Sequence, residues 1–177
     1  MRKLLIVIAS SGALLSAHVP GATAADATGC EGFLWPLATE LSWMKASDSE
    51  ATASGATLPK PPTDKAIALK LLPASQVSLS AKPTSTPQPD DAEKFAGVVT
   101  FEAPTAPGHY QVTISTHAWI DVVQNGVPLE TTGHTGAKNC DSIRKSVRFE
   151  IGSGPFSIQI NSAPTDTIKI AIRPAAD

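Results

Sequence analysis

Asp121 and Glu130 stand on either side of Asn125-Gly126 in the stretch AWIDVVQNGVPLETT. Asn-Gly favours a two-residue type I′ turn, because both central positions need positive φ. Such a turn pairs Gln124 with Val127, Val122 with Leu129 and Asp121 with Glu130. Carboxylates placed directly opposite each other repel, so this pair needs an offset. A Ca²⁺ ion held by Asp121, Glu130 and loop carbonyls would supply it, since hard cations take oxygen ligands. A counter-charge from Arg144, Lys145 or Arg148 on a neighbouring strand, or screening by solvent, would serve as well.

Three further residues, His109, His117 and His134, are of the type that binds zinc or iron. On one extended strand His109 and His117 would lie roughly 26 Å apart at about 3.3 Å per residue. They converge only if the chain reverses near Ser115-Thr116. None of the spacings H-x-H, H-E-x-x-H or C-x-x-C occurs. A G-x-S-x-G nucleophile elbow and a glycine-rich phosphate loop are also missing from the sequence. Neighbouring carboxylates on one hairpin do not by themselves define a glycosidase pair. No catalytic residue is assigned.

Cys30 and Cys140 are the two cysteines. In an oxidising compartment such a pair reads most simply as one disulfide. It would close a loop of about a hundred residues, stabilise by up to roughly 4–5 kcal/mol and tie the N-terminal segment to the sheet. Free thiols and lipidation of Cys30 are the alternatives. The oxidising compartment is itself an expectation from the first residues, MRKLLIVIASSGALLSAHVPGATA. Arg2 and Lys3 precede an apolar stretch from Leu4 to Leu15, and Ala22-Thr23-Ala24 fits a cleavage site, so residues 1–24 read as a signal peptide. An uncleaved anchor is disfavoured because no apolar run reaches about 18 residues.

About 150 residues then remain, enough for one domain with a core. The net charge is −2 with only 17% charged residues, and no basic stripe exists to neutralise phosphates, which argues against nucleic acid. There is no basic amphipathic helix for a membrane surface either. Fifteen prolines and twelve glycines among many Ser and Thr point to a turn-rich β chain.

The elements that must position these residues follow from periodicity. Leu34, Leu37, Ala38, Leu41 and Met44 recur at helical spacing and predict a short helix over 35–46, with Trp35 and Trp43 supplying packing area. Residues 47–65 read as a polar connector, so 25–65 form an N-terminal helix and linker. The segment 66–177 is a β domain. Ile67, Leu69 and Leu71 mark a first strand, and Val77 with Leu79 a second. Residues 82–94 read as an exposed Pro-rich loop. From Phe95 onward apolar residues alternate with polar ones through Phe101, Tyr110–Ile114, Ala118–Gln124, Val127–Thr131, Ile143–Ile151, Phe156–Ile160 and Ile168–Ile172. About nine short strands of this kind predict an all-β, antiparallel two-sheet sandwich, jelly-roll-like in character.

The tail GPFSIQINSAPTDTIKIAI resembles the closing hairpin of bacterial pre-peptidase C-terminal-type sandwiches, which attach to secreted enzymes and bind polymers. CEGFLWPLATELSWM, GHYQV, AWIDVVQNG, NCDSIRKSVRFEI and TDTIKIAI together resemble a family of small exported bacterial proteins. Members of that family sometimes carry the label homogentisate 1,2-dioxygenase, which would imply an iron enzyme. The resemblance transfers no ligand residue to this chain.

These readings converge on an exported, non-catalytic module that binds a polysaccharide or an envelope protein, or serves the envelope structurally. An iron dioxygenase, and an inhibitor of another secreted protein that uses the Pro-rich loop, are the competing expectations. Loops on rigid sandwiches commonly carry function. The candidate binding surface is therefore the Trp119/Asp121/Glu130 face with the loop from Gly133 to Asn139, including His134.

Overall fold

Alternation at period two governs the chain, and the computed structural model, which describes residues 29–176, shows what it builds. The expected signal peptide lies outside those residues. Twelve strands form: β1 (Glu50–Ala53), β2 (Ala56–Leu58), β3 (Ile67–Lys70), β4 (Leu72–Pro73), β5 (Phe95–Phe101) and β6 (Gly108–Ile114), followed by β7 (Trp119–Gln124), β8 (Val127–Pro128), β9 (Thr131–Gly136), β10 (Lys145–Ile151), β11 (Phe156–Ala163) and β12 (Thr167–Pro174). One sheet has the order β1-β3-β12-β6-β10-β9 and the other β2-β5-β11-β7-β8, with β4 also pairing β5. Chain-adjacent strands such as β5 and β6, β6 and β7, or β11 and β12 lie in opposite sheets, which gives the two-sheet sandwich its jelly-roll-like character.

The core lies between the sheets. Tyr110, Val112, Ile114, Phe149, Ile151, Ile168 and Ile170 from the first face Val99, Phe101, Ile120, Val122, Phe156, Ile158 and Ile160 from the second, all buried. Phe101 and Phe156 stack at 5.0 Å between ring centroids. Each such side chain contributes about 1.5–3 kcal/mol on burial. The Asn-Gly turn forms as expected, with φ of 55° at Asn125 and 77° at Gly126. Among the described residues no helix is long and apolar enough to cross a membrane.

Several expectations are corrected. The sandwich is not wholly antiparallel, because β1 runs parallel to β3 and β2 parallel to β5. Both come from the stretch read as a connector. The chain from Glu50 to Leu58 bridges the two sheets, adding one edge strand to each and closing that side of the sandwich. Val77 and Leu79 form no strand; a 3₁₀ turn at Ala74–Gln76 precedes them. Part of the expected Gly- and His-containing loop is β9.

Each sheet also carries a non-strand cover on its outer face. On the first this is α1 (Ala38–Lys45), shorter than the expected 35–46. Its apolar stripe is incomplete: Leu37 and Met44 are buried, whereas Leu34 is 81% exposed. Polar contacts complete the attachment. Glu40, fully buried, accepts from Gln111 Nε2 and lies 3.7 Å from Arg173 Nη1. Lys169 Nζ donates to the carbonyls of Met44 (2.9 Å) and Ala46 (2.7 Å) at the helix C-terminus. The Arg148 guanidinium stacks 4.3 Å from the Trp35 ring centre. A disulfide joins Cys30 to Cys140 beside this helix, across 110 positions of sequence. On the second sheet the cover is the Pro-rich loop, anchored where Gln159 exchanges two hydrogen bonds with the backbone of Ala81 (3.1 and 3.2 Å).

Candidate functional site

The side opposite the β1/β2 bridge is open. There β8 ends the second sheet and β9 ends the first, and the chain crosses from one to the other through Leu129 and Glu130. A groove of about 550 Å³ lies at this crossing, lined by Trp119, Pro128, Leu129, Glu130, His134 and Lys145 among others. A second cavity of about 380 Å³ shares Trp119, Lys145 and Thr84 with it and continues to Ser85, Thr86 and His117.

Trp119 begins β7 and is 39% exposed. Its indole N–H donates to Asp121 Oδ1 (3.0 Å) and Thr84 Oγ (3.0 Å), which fixes the ring. Asp121 is only 3% exposed. Besides the indole, it accepts from the Thr84 hydroxyl, from the Thr84 backbone N–H (3.3 Å) and from Gln159 Nε2 (3.1 Å). Buried carboxylates need such donors, and here they also pin the Pro-rich loop beside the groove.

Lys145 opens β10 with the same parity as Val147, Phe149 and Ile151, so it occupies an inward position at the rim of the core. Its ammonium lies 5.0 Å from the Trp119 ring centre. Burial and then the Arg144 charge push its pKa below the ordinary lysine value, with Asp121 acting in the opposite direction. His117 is exposed, yet its pKa is also lowered, first by partial burial and then by Arg144, Lys145 and Lys94.

The expected site residues thus separate. Trp119, Glu130 and His134 line one groove. Asn139 is exposed beyond β9, its peptide lying near Gly29 at the disulfide. The expected meeting of Asp121 with Glu130 does not form. The β7–β8 ladder runs only to the Val123–Pro128 pair, one further bond joins Leu129 N–H to the Val122 carbonyl (2.8 Å), and the chain then leaves for the other sheet. Asp121 is instead opposite Gln159 on β11, while Glu130 is exposed. With the Asp121 oxygens already accepting four hydrogen bonds, the Ca²⁺ ligand set expected from this pair is not assembled.

The histidines do not converge either. His109 Nδ1 lies 2.9 Å from Glu150 Oε2 on the exposed surface, His134 lines the groove and His117 the second cavity. Among the described residues no group of three or more His, Cys, Asp or Glu is arranged to hold a metal ion. These residues do not fit the iron centre that a dioxygenase would need. The sequence offered Lys145 only as a counter-charge for Asp121 and Glu130, a role its position near Asp121 agrees with, and gave no sign of Thr84 as a site residue. Extending the Val147/Phe149/Ile151 parity back by two positions would have placed a charged residue on the apolar face and marked Lys145.

The fold and this groove define a two-sheet β-sandwich with an open-edge cleft. No protein-family model matches the chain, and searches of curated proteins and of solved structures return no significant match.

Proposed function

We propose that this chain is an exported, non-catalytic binding module that takes a polysaccharide strand in the groove at the open edge of its sandwich. The observation that carries this reading is Trp119, a partly exposed aromatic ring fixed by Asp121 and Thr84 in a cleft flanked by Glu130, His134 and Lys145. A rigid aromatic platform with a few polar groups around it suits a sugar ring, whose C–H face stacks while its hydroxyls take hydrogen bonds. The groove is bounded by two strand edges and is open to solvent, which suits a chain-like ligand. Export agrees with the leader-like first residues and with the Cys30–Cys140 disulfide, since disulfides persist in oxidising compartments.

Affinity electrophoresis through gels containing acidic or neutral polysaccharides tests this. Retardation in at least one gel, lost in Trp119→Ala, is expected. Equal mobility in every gel would remove the proposal. A second reading, a protein partner, rests on β9, the outer strand of its sheet, to which an extended peptide would add as a further strand.

A further inference from the structure

We infer that the glycan taken by this groove is acidic, with a uronate-type carboxylate seated in the cavity between Thr84–Thr86 and the His117/Lys145 pair. This rests on the polysaccharide reading and assigns the ligand's charge and its orientation.

Positive charge gathers at this cavity without a full complement of anions. His117, Arg144, Lys145 and Lys94 are near enough that the last three all act on the first. Lys94 is paired with Asp90 at 2.9 Å, and the Arg144 guanidinium donates to the Ala137 carbonyl (3.1 Å). Neither His117 nor Lys145 has an ion-pair partner among the described residues. Asp121, held by neutral donors from Thr84, Trp119 and Gln159, keeps its charge and offsets part of that of Lys145, so Arg144 and Lys145 together still leave the cavity net positive. The Lys145 ammonium and the His117 imidazole therefore line one cavity of about 380 Å³ together with Ser85 and Thr86, which carry hydroxyls, and Thr84, whose own hydroxyl donates to Asp121. An ammonium, an imidazole N–H and hydroxyls bordering one space recognise a carboxylate, the ammonium through a charge-assisted hydrogen bond.

A bare anion would not account for the remainder of the site. Trp119 and Lys145 belong to this cavity and also to the larger groove, so a ligand held by its carboxylate at Lys145 continues across the indole.

Titration calorimetry with tetragalacturonate, the neutral cellotetraose, free glucuronate and inorganic phosphate tests the inference. Tetragalacturonate is expected to bind at least about tenfold more tightly than cellotetraose, the range of one charge-assisted contact. That preference should collapse at high ionic strength and in Lys145→Gln, with His117→Gln as a second, milder variant. Trp119→Ala should weaken both oligosaccharides. Equal binding of the two, unchanged in Lys145→Gln, would overturn the acidic assignment and leave the groove reading standing. Glucuronate or phosphate binding as tightly as the tetramer would make the cavity a simple anion site and overturn the glycan assignment. Failure of both oligosaccharides in a protein whose folding is verified by circular dichroism would remove the groove reading and this inference together.

Discussion

Lys145 of one sheet holds its ammonium 5.0 Å from the centre of the Trp119 ring on the other, so the two sheets meet at the open edge through a cation and an aromatic face. Such a contact contributes about 0.5–1 kcal/mol at a partly exposed site. Burial and the Arg144 charge oppose it by lowering the Lys145 pKa. Lys94 behaves in the opposite way, its pKa raised by the hydrogen bond and charge of Asp90. In protein carrying ¹³C-dimethylated lysines, the NMR titration of Lys145 is expected to have its midpoint below that of Lys94, and to move upward in Arg144→Gln. Coincident midpoints for Lys145 and Lys94 would show that the charge environment is not as described.

Asp121 serves Trp119, Thr84 and Gln159 together. Replacing it by alanine leaves the Thr84 N–H and one of the two Gln159 amide hydrogens without an acceptor, the other still serving Ala81, and an orphaned buried donor costs about 1–3 kcal/mol. Asp121→Ala is expected to lower the urea midpoint by an amount in that range. It should also speed hydrogen exchange at the Thr84 amide and alter Trp119 fluorescence. An unchanged Thr84 exchange rate would mean that the Pro-rich loop is held by something other than this carboxylate.

Much of this architecture was legible because it rests on burial at period two. Val147, Phe149 and Ile151, or Ile168, Ile170 and Ile172, announce their strands, and Asn125-Gly126 announces its turn. What was not legible rests on pairing. The strands β1 and β2 are only four and three residues long and bury only Thr52 between them, so EATA and ATL offer too short and too weak an apolar pattern to announce a strand. They are strands because the edges of β3 and β5 offer unpaired backbone groups. TTGHTG in β9 has the composition of a loop and is extended through its ladder with β10. The Asp121–Glu130 pairing failed for a related reason, since hairpin register was extended past the point where the chain changes sheets. Helical spacing found α1 but not its buried Glu40, because polar contacts beneath a helix leave no periodic mark.

The helix is held by an apolar cluster of its own, in which Leu37, Leu41, Trp43 and Met44 pack with Ala66, Ile143 and Ala171, separate from the core between the sheets, and so it should loosen before the sandwich does. Lys169 donates to two carbonyls at its C-terminus, and Lys169→Met is expected to cost about 1–2 kcal/mol by removing both a charge-assisted cap and a cation from the negative end of the helix dipole. Reduction of Cys30–Cys140 releases a closed loop spanning 110 positions, with an expected loss of about 4–5 kcal/mol. Under native conditions the reduced Lys169→Met protein should show altered fluorescence from Trp35 and Trp43 while its far-ultraviolet β signal persists. Loss of the β signal at the same denaturant concentration as the fluorescence change would show that helix and sandwich unfold as one unit.

Acid should weaken the protein through His117. Partial burial, then Arg144, Lys145 and Lys94, hold its pKa below the ordinary value of 6.5, and unfolding removes those influences. Between the depressed folded value and 6.5 the unfolded chain binds more protons than the folded one, so stability rises with pH across that window. The contribution is complete above the unfolded value, declines as pH falls through the folded value and levels off below it. Lys145 acts with the same sign in the alkaline range, where its lowered pKa makes stability rise toward 10.5. The measurement is the thermal midpoint of the parent protein minus that of His117→Gln, followed from about pH 7.5 down to about pH 5 so that other titrating groups cancel. The difference is expected to shift against the parent protein as the solution is acidified. A flat difference would show that His117 protonates as freely in the folded chain as in the unfolded one, and that the three cations do not act on it.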